Sequence, residues 1–182
     1  MPQKLNSQDL NQRIYLLGMP GSGKSTEGAK LAKSLGWNFI DLDKAIEIET
    51  GISISNIFEM HGEMGFRKME QTMLMKTFSA THIVIACGGG TACFENNMEL
   101  IKQHGLSIYL KANAPFLLSR LMGKIEERPM FNGLKEVELL EKIKDLLQLR
   151  ESFFYQANGT LELPVKDNKA LFNKALSLLN KP

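Results

Sequence analysis

Gly18, Gly21, Gly23, Lys24 and Ser25 fall in the order GxxxxGK[ST], a spacing suited to holding a polyphosphate. Small residues let consecutive backbone N–H groups curl around phosphate oxygens, and a helix opening at Lys24 adds the positive end of its dipole. Lys24 is placed to reach the outer phosphates. The Ser25 hydroxyl is a hard oxygen ligand of the kind Mg²⁺ accepts beside phosphate and water. Gly21, Ser22, Gly23, Lys24, Ser25 and Thr26 are therefore the expected contacts of a nucleoside triphosphate. A glycine-rich turn with no ligand is the plain alternative, but the apolar run 14–17 in front and the helical pattern behind supply the strand-loop-helix context the motif requires.

A second set of groups suits an acceptor. Asp41-Leu42-Asp43 ends the apolar run 38–40, and on a continuing strand both carboxylates would project to one side. Asp41 is expected to assist Mg²⁺ through water, and Asp43 to orient an acceptor hydroxyl and take its proton. Helix capping by Asp43 is the competing reading. Glu63, Arg67 and Glu70 share one helical face. They read either as solvated helix decoration or as a rigidly aimed guanidinium whose planar fork suits a carboxylate-bearing substrate. Gly88-Gly89-Gly90 follows an apolar run; three glycines in succession cost backbone entropy, and close approach of a ligand explains them better than a plain turn. Arg128 is expected to neutralise charge on the transferred group, with a solvated surface arginine as the alternative. Arg150 reads equally as an anion ligand or as a cation favoured at a helix C-terminus.

Elements that would position these groups alternate along the chain. Strands are expected at 13–17, 38–40, 82–86, 106–110 and 160–163. Helices are expected at 24–35, 43–50, 53–60, 63–78, 96–103, 115–122, 137–153 and 169–179. This alternation predicts an α/β fold, a parallel sheet covered on both faces in three layers. The stretch 123–134 fits neither pattern. Pro129 biases Arg128 towards an extended backbone, so a mobile loop is expected there.

The 182 residues suit one domain, and 43% apolar with 23% charged residues suits an ordinary globular core. A net charge of +2, with Lys and Arg scattered, gives no stripe for a nucleic-acid backbone. The polar opening dozen residues lack a signal-peptide pattern, and no apolar run approaches the length of a membrane span, so a cytoplasmic protein without membrane contact is expected. Cys87 and Cys93 lack partners at metal-ligand spacing and are expected to be reduced thiols.

Taken together, from about Arg13 to Leu179, the chain resembles the shikimate kinases, a branch of the nucleoside-monophosphate-kinase-like P-loop proteins. The resemblance rests on the ordered set of the 18–25 loop, Asp41-Leu42-Asp43, Gly62-Glu63 with Phe66-Arg67 and Glu70, the triple glycine, and Arg128-Pro129. It implies a five-stranded sheet of order 2-3-1-4-5 in a single P-loop kinase domain, with a substrate-binding region at about 43–78 and a lid at about 123–134. It implies ATP-dependent, Mg²⁺-assisted phosphorylation of the 3-hydroxyl of shikimate in aromatic amino-acid biosynthesis; a monomer is expected. Asp43 would bind ring hydroxyls and act as base, with Lys24 and Arg128 completing the catalytic set. Arg67 and Arg150 would clamp the carboxylate, Glu70 would hold Arg67, and Gly89 and Gly90 would line the ring, with Gly88 beside them in the substrate-binding set. Arg120 would stack on adenine and Arg128 would close with the lid. Phe154 stands where the family has a tyrosine, Met130 replaces a leucine, and Glu126-Glu127 makes this lid acidic.

Three rivals remain in view. A gluconate kinase would share the P-loop but need not carry Asp43, Arg67 and the triple glycine together. A GTP-dependent switch would carry Asn-Lys-x-Asp, whereas Asn168-Lys169 is followed by Ala170-Leu171. A nucleoside-monophosphate kinase would need longer base-binding and lid segments.

Overall fold

The computed structural model describes residues 12–123, 129–165 and 167–180. Its strands are β1 (Arg13–Leu17), β2 (Asn38–Asp41), β3 (Ile83–Ala86), β4 (Leu106–Lys111) and β5 (Gly159–Glu162). All pair in parallel in the order β2-β3-β1-β4-β5, the order the resemblance implied. The helices are α1 (Lys24–Leu35), α2 (Leu42–Thr50), α3 (Ile54–Lys76), α4 (Asn97–His104), α5 (Ala114–Leu121), α6 (Glu136–Phe154) and α7 (Ala170–Leu179).

Period-two alternation on the central strands divides the core into two layers. Ile14, Leu16, Val84, Ile108 and Leu110 face α1 and α7, where Leu31, Leu171 and Leu178 meet them. Tyr15, Leu17, Ile85 and Tyr109 face the other way, towards α2 to α6, and pack on Ile46, Leu74, Ile101, Leu117 and Ile143. Both faces are therefore dry, which is why β1 and β3 read as unbroken apolar runs. Parallel pairing also puts the carboxyl ends of β1, β2 and β3 at one edge. Asp41 lies beside Ala86, and Ala86 beside Leu16. Two residues beyond each stand Asp43, Gly88 and Gly18. Open sheets bind ligands at this edge, beside the point where the strand order reverses.

The expected helices at 53–60 and 63–78 are the two halves of α3. They are separated by Gly62, whose φ of 65° and ψ of 179° break the helical path. Glycine adopts that φ without the steric penalty of a side chain, so the break sits where the sequence changes register. His82 falls outside β3 because its φ is 53°. The remaining boundaries differ from expectation by one or two residues, within ordinary end fraying. The segment read as a loop before α6 contains a 3₁₀ turn at Pro129–Phe131, with Phe131 wholly buried. Cys87 and Cys93 are free thiols, one buried and one half-buried. Among the described residues no helix is long and apolar enough to cross a membrane.

Candidate active site

The loop after β1 curls through left-handed backbone at Gly21 (φ 85°) and Gly23 (φ 90°), conformations that a side chain would strain. Gly23 is also the N-cap of α1, so the helix dipole points at the hollow of the loop. Inside it the Lys24 ammonium donates to the carbonyls of Gly18 at 2.7 Å and Met19 at 3.0 Å. Ser25 and Thr26, one step further along the helix, are exposed.

Two joined compartments flank this loop. The smaller, about 190 Å³, is lined by Gly21, Gly23, Lys24, Ser25, Arg120 and Gly88 among others. The larger, about 500 Å³, is lined by Asp43, Phe58, Phe66, Arg67, Gly90 and Arg150 among others. Pro20, Ser25, Thr26, Asp41, Asp43 and Gly89 border both. A groove of about 260 Å³ between α2 and α3 shares no lining residue with either. Arg120 is exposed on α5 with its guanidinium 5.3 Å from the Phe116 ring centroid.

The carboxylates after β2 are arranged differently from expectation. The strand ends at Asp41 and the chain turns helical at Leu42, so strand alternation does not align the pair. Asp41, not Asp43, is the N-cap: its Oδ1 accepts from the Lys44 amide at 3.3 Å. Asp43 lies in the first helical turn, half-buried on the wall common to both compartments. The capping reading of Asp43 is thereby removed. Donors at this junction are a hydroxyl and carboxylates, all oxygen, which suits Mg²⁺ rather than a softer ion. Among the described residues no three His, Cys, Asp or Glu side chains group to form an all-protein metal cage, so phosphate and water would complete the coordination.

Arg67 is not solvated decoration, being only 8% exposed. Its Nη1 donates to Oε2 of the wholly buried Glu70, and its Nε and Nη2 donate to Glu63 Oε1 at 3.3 and 3.1 Å. Burial pulls the guanidinium pKa down, but Glu70 and then Glu63 outweigh it and leave the value above that of a free arginine. Arg150, on α6, is 7% exposed and donates from Nη1 to the Gly89 carbonyl at 3.2 Å. It makes no ion pair among the described residues. Burial and then the positive charge of Arg67 lower its pKa. Arg150 lies before the last turn of α6 and lines the larger compartment, where a carboxylate between the two guanidinium groups would relieve their repulsion. Phe154, at the position of the family's tyrosine, is buried with its ring centroid 5.1 Å from that of Tyr109.

Each glycine of the triple sits against a different protein group. A Cβ on Gly88 would come within 2.0 Å of Glu70 Oε1 and 2.9 Å of Asp43 Oδ1. One on Gly89 would meet Pro20 Cδ at 2.6 Å, and one on Gly90 would meet Arg67 Cζ at 2.7 Å. The close approach expected for a ligand is therefore first an approach to the side chains of the site, although Gly89 and Gly90 also line the larger compartment. Sequence reasoning missed Phe58, Ile54 and Met130 as lining residues; their apolar side chains carried no sequence signal that separates a pocket wall from a core. Arg128 lies outside the described residues.

A P-loop opening on a helix, an all-parallel 2-3-1-4-5 sheet and an adjoining compartment lined by two buried arginines define a small-molecule kinase of the P-loop class. The family model for shikimate kinase matches residues 20–180, and the chain belongs to that family. A shikimate kinase of Bacteroides fragilis is 39% identical over 146 residues, covering 80% of this chain and 82% of that protein. The shikimate kinase of Acinetobacter baumannii in complex with shikimate has a TM-score of 0.85 and 36% identity, covering 92% of both chains. A gluconokinase of Sinorhizobium meliloti has a TM-score of 0.59 at 15% identity over 93% of this chain and 92% of that one. This last likeness extends to the fold alone.

Proposed function

We propose that this chain transfers the γ-phosphoryl group of ATP to the 3-hydroxyl of shikimate, giving shikimate 3-phosphate and ADP. The observation that carries the reading is the burial of Arg67 and Arg150 in the walls of a compartment that Pro20, Ser25 and Thr26 of the P-loop segment also line. Such a pair selects an acceptor with a planar anion at a fixed distance from its reacting hydroxyl.

In this reading the acceptor carboxylate lies between Arg67 and Arg150, with Glu70 holding Arg67. The ring rests on the backbone of Gly89 and Gly90, beside Gly88, with Phe58 and Phe66 on its apolar side. Asp43 accepts the hydroxyl proton as the hydroxyl oxygen bonds to the γ-phosphorus, and the bond from that phosphorus to the bridging oxygen breaks to release ADP. Gly21, Ser22, Gly23 and Thr26 hold the donor phosphates, and Lys24 exchanges the loop carbonyls for the outer phosphate oxygens. Mg²⁺, held by Ser25 directly and Asp41 through water, would offset charge on those phosphates. Arg120 stacks on adenine. Arg128, in a lid at about 123–134, completes the charge neutralisation, and the region 43–78 forms the acceptor side of one domain. The enzyme acts as a cytoplasmic monomer on these two small molecules.

A coupled ADP-release assay with ATP and Mg²⁺ tests the assignment, with shikimate compared against gluconate and nucleoside monophosphates. Shikimate-dependent ADP is the expected result. Its absence, with turnover of gluconate instead, would replace this reading with that of a sugar-acid kinase.

A further inference from the structure

From Glu70 on the wall of the larger compartment a chain of hydrogen bonds runs to Thr91, Asn97 and Gln71, none of which lines that compartment. Glu70 uses Oε2 for Arg67; its other oxygen, Oε1, accepts the Thr91 hydroxyl at 2.6 Å. The carbonyl of Thr91 accepts from Asn97 Nδ2 at 2.8 Å, and Asn97 Oδ1 accepts from Gln71 Nε2 at 2.9 Å. Glu70, Thr91 and Asn97 each have zero exposure. Gln71 and Glu70 lie on α3, Thr91 directly follows the triple glycine, and Asn97 opens α4. The loop therefore closes from helix to turn to helix and back to the same helix.

Its geometry decides what the Thr91 hydroxyl does. A carboxylate holding one arginine on a single oxygen can swing about its last side-chain torsions, a broad and soft degree of freedom. Gly88 leaves that carboxylate room on one side, where an added Cβ would lie 2.0 Å from Oε1. Beside that gap Thr91 fixes the same oxygen with a charge-assisted hydrogen bond of 2.6 Å.

We propose that Thr91 is a positioning residue for the acceptor: its hydroxyl fixes the Glu70 carboxylate and so aims the Arg67 fork, while Asn97 and Gln71 anchor the Thr91 backbone. This rests on the reading of Arg67 as the carboxylate clamp. Thr91 is thereby part of acceptor specificity without touching the acceptor.

The test is Thr91→Val, which preserves shape and removes the hydroxyl, measured beside Thr91→Ser and Arg67→Ala. The KM for shikimate is expected to rise about tenfold in Thr91→Val, the scale of one hydrogen bond to a charged group, with the KM for ATP unchanged. Thr91→Ser restores the wild-type KM. In a Glu70→Gln background the Thr91→Val effect shrinks, because the two act on one carboxylate. If Thr91→Val is not recovered folded, Thr91→Ala is read against Thr91→Ser in the same way. An unchanged shikimate KM, an equal rise for both substrates, or equal losses in the valine and serine variants would overturn the proposal. Should Arg67→Ala also leave the shikimate KM unchanged, the clamp reading itself fails. A rise in Arg67→Ala alone removes only the role of Thr91.

Discussion

Gly90→Ala isolates the aim of Arg67 from its charge. Gly90 has φ −118° and ψ −1°, an allowed backbone for alanine, so the substitution acts through contact and not through backbone strain. The new Cβ would lie 2.7 Å from Arg67 Cζ and Nη2 and 2.8 Å from Nη1, where ordinary contact begins at 3.4 Å. The guanidinium must therefore retreat by about 0.7 Å against the hydrogen bonds that tie it to Glu70 and Glu63. A 1 Å misplacement of a positioning group costs on the order of 100-fold, so kcat/KM for shikimate should fall about 10- to 100-fold. Because the obstructing atoms are the end of a side chain, stability should fall by only about 1 kcal/mol, the low end for overpacking. That corresponds to about 2 to 4 °C in Tm. The assay is coupled ADP release with shikimate varied at saturating ATP and the converse, alongside thermal unfolding. A parallel loss for both substrates, or a wild-type KM for shikimate, would refute the claim that Gly90 is present to admit Arg67.

Two further predictions separate neighbouring roles. Asp43→Asn should lower kcat by about 10²- to 10⁴-fold with little change in Tm, whereas Asp41→Ala should lose the N-cap and about 1 kcal/mol of stability; a reversal of the stability effects would exchange the assignments. Burial raises the Tyr15 hydroxyl from 10.0 to about 12 and the Cys93 thiol from 9.0 to about 11. Folded values raised in this way leave stability intact below pH 9 and remove it as pH climbs through the interval 9 to 12, by at most about 1.4 kcal/mol per pH unit for each group. Urea midpoints at pH 8 and 10.5 should differ accordingly, and equal midpoints would contradict the burial argument.

The donor half was legible because its chemistry is backbone chemistry: Gly18, Gly21 and Gly23 are required by loop geometry, and that requirement is written in the residue types. The alternation of dry strands and amphipathic helices was legible for the same kind of reason, periodicity being local. The acceptor half depends on contacts between segments far apart in sequence. Spacing placed Arg67 and Glu70 on one face but left open whether that face met water or a core, and only the packing of α3 against the turn after β3 decides it. Asp41 and Asp43 were misaligned because the chain changes from strand to helix between them, a switch within one residue that neither periodicity reports. Thr91 and Asn97 carry no local signal, since a threonine after glycines and an asparagine at a helix start are common turn chemistry.

The central claim is that two buried guanidinium groups read the acceptor's carboxylate. The most direct measurement is coupled ADP release by the unmodified enzyme with shikimate and with its methyl ester, which keeps the ring and hydroxyls but removes the negative charge. The account predicts that kcat/KM for the ester is lower by about 100-fold or more, the scale of leaving a buried charged partner unpaired, with an unchanged KM for ATP. Equal kcat/KM for acid and ester would contradict it.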